Sequence, residues 1–192
     1  LSRGLGDVYK RQAALVRQYL KEQGVAEEAL ADMVNRLLMS TATPIVDEAH
    51  DTLYFVRRQG AGLANPAAAV ASQAYIQVEG TNKSKFELGD DPERTGVYTM
   101  DFEVVNFSDG EKTYTLDTTV LGQKAEGGQI RGGKVTYLVY DYARKLSAAV
   151  TSSTADGKIT VPAHATAQVS VTVTLSDADR AYTVSYTHLR AH

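Results

Sequence analysis

The sequence has no cysteine, only four prolines and only four histidines among its 192 residues. Without cysteine the chain has no disulfide, no thiolate metal site and no cysteine nucleophile. No apolar run approaches the roughly 20 residues that a membrane-spanning helix needs. A secreted protein without disulfides is possible if its hydrophobic core is large enough, so the absence of cysteine leaves the redox compartment open.

The two ends of the chain are related through their coding DNA. Ser2 to Gln12 can be encoded by a DNA whose reverse complement, read two bases further along, translates as Val-Ser-Tyr-Thr-His-Leu-Arg-Ala-His. The chain ends in that same string, Val184 to His192. Such an inverted repeat resembles a sequencing adapter that has been read as coding sequence. We therefore predict adapter-derived tags at residues 1–12 and 184–192, and a native insert of about residues 13–183 that lacks both natural termini.

Removing the predicted tags makes the chain more acidic. The whole sequence has a net charge of −3; the tags hold four basic residues and one acid, which leaves 16 basic against 22 acidic residues and a net charge of −6. An acidic chain lacks the positive surface by which proteins bind nucleic acid. Only His50 and His164 remain as native histidines.

The first native segment has the apolar spacing of helices. Apolar residues recur every three or four positions in two stretches: Leu15, Val16, Tyr19 and Leu20, then Leu30, Met33, Val34, Leu37 and Leu38. This pattern predicts one helix that stops near Gly24 and a second helix over about residues 27–40. Tyr54 to Val56 is compatible with a strand. Asn65-Pro66 predicts the start of a short helix that runs through Val70.

From about Ser72 the apolar period changes to two, as in half-buried strands. The alternating residues are Ala74, Ile76 and Val78; Tyr98, Met100, Phe102 and Val104; Tyr114, Leu116, Thr118 and Val120; Val135, Tyr137 and Val139; and Val169, Val171, Val173 and Leu175. Ser108-Asp109-Gly110 predicts a hairpin between the second and third of these strands, and Asp156-Gly157 predicts another tight turn. With no helix-length apolar period, this region predicts a β-sandwich.

Three segments of the helical region resemble the end of the catalytic domain of subtilisin-like serine peptidases, the subtilases. They are Ala13 to Leu20, similar to the rear of the helix that begins at the nucleophile; Leu37 to Pro44, similar to a late helix; and Gln59 to Val70, similar to the closing Gly-x-Gly-Leu-x-Asn segment and last helix. The family's Gly-Thr-Ser-Met-Ala-x-Pro-His motif immediately precedes such a stretch, and here the predicted adapter junction lies in that place. The resemblance implies that the catalytic Asp, His and Ser and the oxyanion Asn lie outside this chain.

The strand region resembles the fibronectin-III-like domain that follows the peptidase domain in cell-envelope subtilases. Tyr98 to Asn106 is similar to its early core strand, and Val161 to Val173 is similar to its penultimate strand pair. The passage from Arg57-Arg58-Gln59 to Ser72-Gln73-Ala74 resembles the way those enzymes pass between domains. A glycine would be more usual than His164 in the turn that this residue occupies.

The expected fold class is α+β, a truncated helical end of a subtilisin-like α/β domain followed by an antiparallel, fibronectin-III-like β-sandwich. We expect the catalytic-domain remnant at residues 13–72 and the sandwich at residues 73–183. The implied parent is an extracellular or cell-wall-associated serine endopeptidase whose partners are protein or peptide substrates, with no cofactor, nucleic acid or membrane span. Two alternatives stay open: a non-catalytic cell-surface adhesion or binding protein that shares only the sandwich, and a subtilase homologue that has lost its triad.

The chain offers few candidates for chemistry of its own. Asp47-Glu48 with His50 could form a metal or acid–base group, although a solvated loop after Pro44 is the expected structure. Asp90, Asp91 and Glu93 could supply oxygen ligands to calcium, although Asp-Asp-Pro is also an ordinary turn.

The remaining motifs favour structural interpretations. Gly127-Gly128 and Gly132-Gly133 flank Arg131 without the strand–helix context of a phosphate loop, so a flexible hairpin is expected. Asn82-Lys83-Ser84 and Asn106-Phe107-Ser108 match the glycosylation sequon, which is common by chance. Ser40 is expected to be a late-helix residue and not the nucleophile. We therefore expect no catalytic, cofactor-binding or metal-binding residue in this chain.

The purified chain should not hydrolyse casein, because no Ser, His and Asp set of the subtilase kind maps onto its residues. A casein assay run with and without a serine-directed phosphonate tests this expectation. Hydrolysis that the phosphonate blocks would contradict it.

Overall fold

A computed structural model describes residues 3–131 and 134–187 of the chain. The helices over these residues are α1 (Arg3–Glu22), α2 (Glu27–Ser40), α3 (Val56–Gln59), α4 (Pro66–Ser72) and α5 (Asp177–Thr187). The strands are β1 (Val46–Asp47), β2 (Thr52–Leu53), β3 (Ala74–Val78), β4 (Val97–Asn106), β5 (Lys112–Thr115), β6 (Leu121–Arg131), β7 (Lys134–Lys145), β8 (Ala148–Ser152), β9 (Lys158–Val161) and β10 (Thr166–Leu175). All strand pairings are antiparallel, which confirms the expected α+β class.

Helices α1, α2 and α4 pack around one apolar core. Val16, Leu20, Leu30, Leu37 and Ala69 are fully buried there, and each of the larger side chains contributes roughly 1.5–3 kcal/mol on burial. The two predicted apolar stripes therefore pack on each other. None of the described helices is long and apolar enough to cross a membrane.

The prediction for Leu15 is wrong, because this side chain is 61% exposed. Leu15 precedes Val16 by one residue, which is about 100° of helical rotation. Val16, Tyr19 and Leu20 share a narrower face that is turned towards α2, and Leu15 falls beside it. α1 begins at Arg3, so the predicted boundary between residues 12 and 13 lies inside a helix.

The strand predicted at Tyr54 to Val56 is also wrong. Strand β2 pairs with β1 two residues earlier, and Val56 begins α3. The side-chain oxygen of Gln59 accepts a hydrogen bond from the Ile45 N–H at 2.6 Å, and its amide donates to the Tyr54 carbonyl. Tyr54 still donates its N–H to the Ile45 carbonyl at 3.0 Å, but the Gln59 side chain replaces the return bond of that pair. The strand therefore ends and the chain turns into α3.

Two sheets of the strand region share a core. The larger sheet has the order β3-β4-β10-β8, and β5 pairs with β9 in the smaller one. Val104, Ile159, Val161, Val169 and Val171 are buried between them. The predicted alternation in β10 is confirmed, because its inward valines and Leu175 are buried while the residues between them are not.

The hairpin predicted across Ser108-Asp109-Gly110 is wrong. β4 pairs with β3 and β10, whereas β5 pairs with β9, so the chain crosses from one sheet to the other at this turn. Asn106 directs the crossing: it is 1% exposed, and its amide donates to the carbonyls of Gly110, Val161 and Pro162. His164 lies near this turn with a φ of 52°, the left-handed conformation for which glycine is better suited.

Two further elements complete the strand region. β6 and β7 pair as the hairpin expected around Arg131, although Gly132 and Gly133 lie outside the described residues. Helix α5 was not predicted, and a capping pattern marks its start. The Asp179 N–H donates to Ser176 Oγ at 3.2 Å, and the buried Asp179 carboxylate accepts from Arg144 Nη2 at 2.7 Å and from the Ser147 N–H at 2.6 Å.

Gly62→Ala should destabilise the fold by about 3 kcal/mol or more. Gly62 has a φ of 121°, and a Cβ placed there would lie 2.2 Å from the Thr43 carbonyl oxygen. The approach is fixed because Thr43 and Leu63 exchange backbone hydrogen bonds of 2.9 and 2.8 Å.

The matched control is Gly24→Ala. Gly24 follows α1 with a φ of 79° but no atom within 4 Å of a Cβ, so this variant should lose only about 1 kcal/mol. Urea unfolding of both variants measures the two losses. Equal losses would show that the close approach at Gly62 does not matter.

Candidate functional site

His50 and Asp47 meet at the turn between β1 and β2. His50 Nδ1 lies 2.9 Å from Asp47 Oδ2, and the Asp47 side chain is buried. The His50 ring stacks on Tyr142 of β7, with 3.7 Å between ring centroids and 10° between ring planes. The solvated loop expected here is corrected for Asp47, whose side chain is buried, whereas Glu48 and His50 are exposed.

This pair resembles half of a catalytic relay. A carboxylate at Nδ1 fixes the imidazole orientation, as the Asp of a serine-peptidase triad does. Over the described residues, however, no hydroxyl is hydrogen-bonded to His50, and no group of three His, Cys, Asp or Glu side chains could hold a metal ion. The Thr52 hydroxyl across the β1–β2 pairing is buried without a partner. The arrangement can orient an imidazole but lacks a nucleophile.

The acidic cluster at Asp90, Asp91 and Glu93 forms a turn. Asp91 accepts from the Gly96 N–H at 2.8 Å, and from the Thr95 N–H at 3.0 Å and hydroxyl at 3.3 Å. These bonds, with the Gly96 N–H first, lower the pKa of the Asp91 carboxyl. The carboxylate oxygens are thus used by the turn itself, which supports the turn interpretation over a calcium site.

The remaining sequence candidates have structural surroundings. Ser40 ends α2, and its hydroxyl accepts from the Ile76 N–H of β3 at 2.8 Å. The Asn106 sequon is buried inside the sandwich. Asn82 is exposed, and its amide donates to Asp32 Oδ2 at 3.3 Å. None of these three residues contacts the His50 pair in the described part of the chain.

A cavity of about 790 Å³ lies where the helical region meets the sandwich. We call it the junction groove. Its walls are apolar side chains from α3, β4, β6, β10 and the loops: Phe55, Val56, Leu88, Tyr98, Met100, Val120, Leu121, Leu146, Val173 and Leu175. Arg57, Asp117, Thr118, Thr119 and Gln123 supply its polar groups. Sequence reasoning missed this groove because its walls come from separate segments that no single motif links.

A second, acidic cavity of about 380 Å³ adjoins the junction groove. Leu88 and Tyr98 line both cavities. The smaller one is also lined by four acidic residues, Glu87, Asp90, Asp91 and Glu93. Burial, followed by the negative charge of Asp91, raises the pKa of the Tyr98 hydroxyl. A polypeptide or small molecule in the groove would therefore meet negative charge at this end.

Comparison with known proteins finds distant relatives. No protein-family model matches the chain. Proteins named C5a peptidase from Streptococcus pyogenes serotypes M18, M3 and M1 are 26% identical to it over 145 residues. The match covers 76% of this chain but 11% of each relative, so the chain spans about a tenth of their length. The similarity supports a distant, peptidase-related origin.

The Asp91 carboxyl should titrate below its ordinary pKa of 3.8 in the folded chain. Because the folded pKa is lowered, the stabilisation from this carboxylate is present above the unfolded pKa and is lost as the pH falls through the folded value. An NMR titration of the side-chain carboxyl carbon measures the midpoint, and the chain unfolded in urea is the control. Equal midpoints in the two states would show that the turn does not bind the carboxylate.

Proposed function

We propose that this chain is part of a larger extracellular or cell-wall-associated serine endopeptidase of the subtilisin-like kind. It would supply the helical end of the catalytic domain and the fibronectin-III-like sandwich that follows. The Ser, His and Asp that cleave proteins or peptides would belong to the rest of that protein. On this proposal the chain alone is inactive.

The length of the match to the C5a peptidases carries the proposal. Only 120 residues follow Ser72, so a match over 145 residues must include at least 25 residues of the helical region. A shared β-sandwich alone cannot account for such a match. This favours a peptidase parent over an adhesion or binding protein that shares only the sandwich.

Direct contacts between the helical region and the sandwich support a role for the sandwich in positioning a polypeptide. Arg36 of α2 donates to the Gln77 side chain of β3 at 2.6 Å, and Gln77 donates to Glu103 of β4 at 2.6 Å. The Arg36 guanidinium also lies 4.7 Å from the centre of the Tyr75 ring. Bonds from a helix through one strand to the next hold the sandwich in a fixed orientation. In a peptidase, such a sandwich could position a polypeptide relative to the catalytic domain.

Recovering a longer gene tests the proposal. It should encode a Gly-Thr-Ser-Met-Ala-like motif within about ten residues, or three helical turns, before Ala13. A serine there would lie at the start of α1, where helix-terminal N–H groups favour developing negative charge. The longer protein should hydrolyse casein.

The control is the longer protein with that serine replaced by alanine, which should lose the activity. A longer gene without the motif would overturn the peptidase proposal in favour of the binding protein. A motif without hydrolysis would identify the homologue that has lost its triad.

A further inference from the structure

The junction groove has the size and position of a ligand site. Its volume of about 790 Å³ lies in the range that ligand pockets occupy, and such pockets are frequent where two structural units meet. Val56 and Leu88 remain 62% and 49% exposed at its walls. Exposed apolar side chains grouped around a concave surface are typical of binding sites.

One wall of the groove presents backbone N–H and C=O groups that a ligand could bind. Asp117, Thr118 and Thr119 lie between β5 and β6 and line the groove. In the described part of the chain, no hydrogen bond reaches the backbone of these three residues; the bonds on either side involve the Leu116 N–H and the Val120 carbonyl. Exposed N–H and C=O groups beside an apolar groove suit an extended polypeptide, which pairs through its own backbone.

The carboxylates beside the groove determine which kind of polypeptide would fit it. The acidic cavity continues the groove past Leu88 and Tyr98, and Asp90 and Glu93 are exposed in it. Glu87 already pairs with Lys85 at 3.2 Å, and Asp91 is bound by its turn. A positive side chain next to an apolar one would therefore meet carboxylates at this end.

We infer that the junction groove binds an extended polypeptide segment in which apolar side chains lie next to a lysine or arginine. The inference deepens the proposed function, because a polypeptide is also what a peptidase acts on. The apolar side chains would occupy the groove, the basic side chain would reach Asp90 and Glu93, and the peptide backbone would pair with residues 117–119.

Fluorescence anisotropy of the full chain with a labelled short peptide tests the inference. The probe has two leucines followed by a lysine, between glycine and serine residues, and its control has glutamate in place of the lysine. The lysine peptide should bind roughly three- to tenfold more tightly, and high salt should reduce the difference. Shifts of the Leu88, Tyr98 and Thr118 amide signals in NMR spectra should accompany binding.

Three variants separate the contributions of the carboxylates and of the backbone groups. Asp90→Asn with Glu93→Gln should weaken binding of the lysine peptide roughly three- to tenfold, whereas Asp101→Asn with Glu111→Gln, which removes the same charge from exposed sites outside the groove, should not. Thr118→Pro removes one backbone N–H and should weaken both peptides about two- to tenfold. Urea unfolding of each variant verifies that it remains folded.

The inference is overturned if neither peptide binds the wild-type chain, if both bind equally, or if the two charge variants bind alike. These outcomes are independent of the longer gene. Peptide binding here together with an inactive longer protein would retain the groove and reject the peptidase.

Discussion

The hydrogen bonds between α2 and strand β3 fix how the helical region and the sandwich lie against each other. Ser40, the last residue of α2, accepts from the Ile76 backbone, and Arg36 one turn earlier reaches Gln77. Arg36 is largely buried, so loss of its partner would leave a desolvated charge, which costs more than breaking an exposed pair. The junction groove depends on this orientation, because Phe55 and Val56 come from the helical side and Tyr98 and Met100 from the sandwich.

A second set of contacts links α3 and the β1–β2 turn to the β6–β7 hairpin. Arg58 pairs with the Asp141 carboxylate at 2.9 Å and donates to the Asp141 carbonyl at 2.8 Å, and Arg57 donates to Gln123 at 3.3 Å. These groups are exposed, so each contributes at most about 1 kcal/mol. The stack of His50 on Tyr142 adds apolar contact that salt does not screen. The β6–β7 hairpin is therefore held to the β1–β2 turn by the ring stack and to α3 by the two arginines.

The spacing of apolar residues correctly predicted the elements that bury one face against a single apolar layer. The stripe of α2 and the alternation of β10 are present because each element packs on one apolar layer. The crossing at Asn106 was missed because turn residues show that a chain turns, and not which sheet it enters. There the buried side-chain amide binds three carbonyls, and two of them, those of Val161 and Pro162, are more than fifty positions away. Helix α5 was missed because, over the side chains described at residues 177–183, it is anchored by the polar groups of Asp179 and Tyr182.

The candidate sites differ in the same way: some are formed by residues close together in the sequence, and others by residues far apart. The turn at Asp91 was one of two sequence interpretations, and hydrogen bonds within five residues support it. The stacking of His50 depends on Tyr142, more than ninety positions along the chain, so no local pattern could indicate it. The junction groove is the extreme case, because its apolar walls combine buried residues such as Leu175 with exposed ones such as Val56, and none of them is distinctive by itself. What distinguishes them is that they line one concave surface beside residues 117–119, which lie between β5 and β6 and outside the strands. Apolar surface left open there is unfavourable in water, and the same irregular segment supplies backbone groups along the edge of the groove.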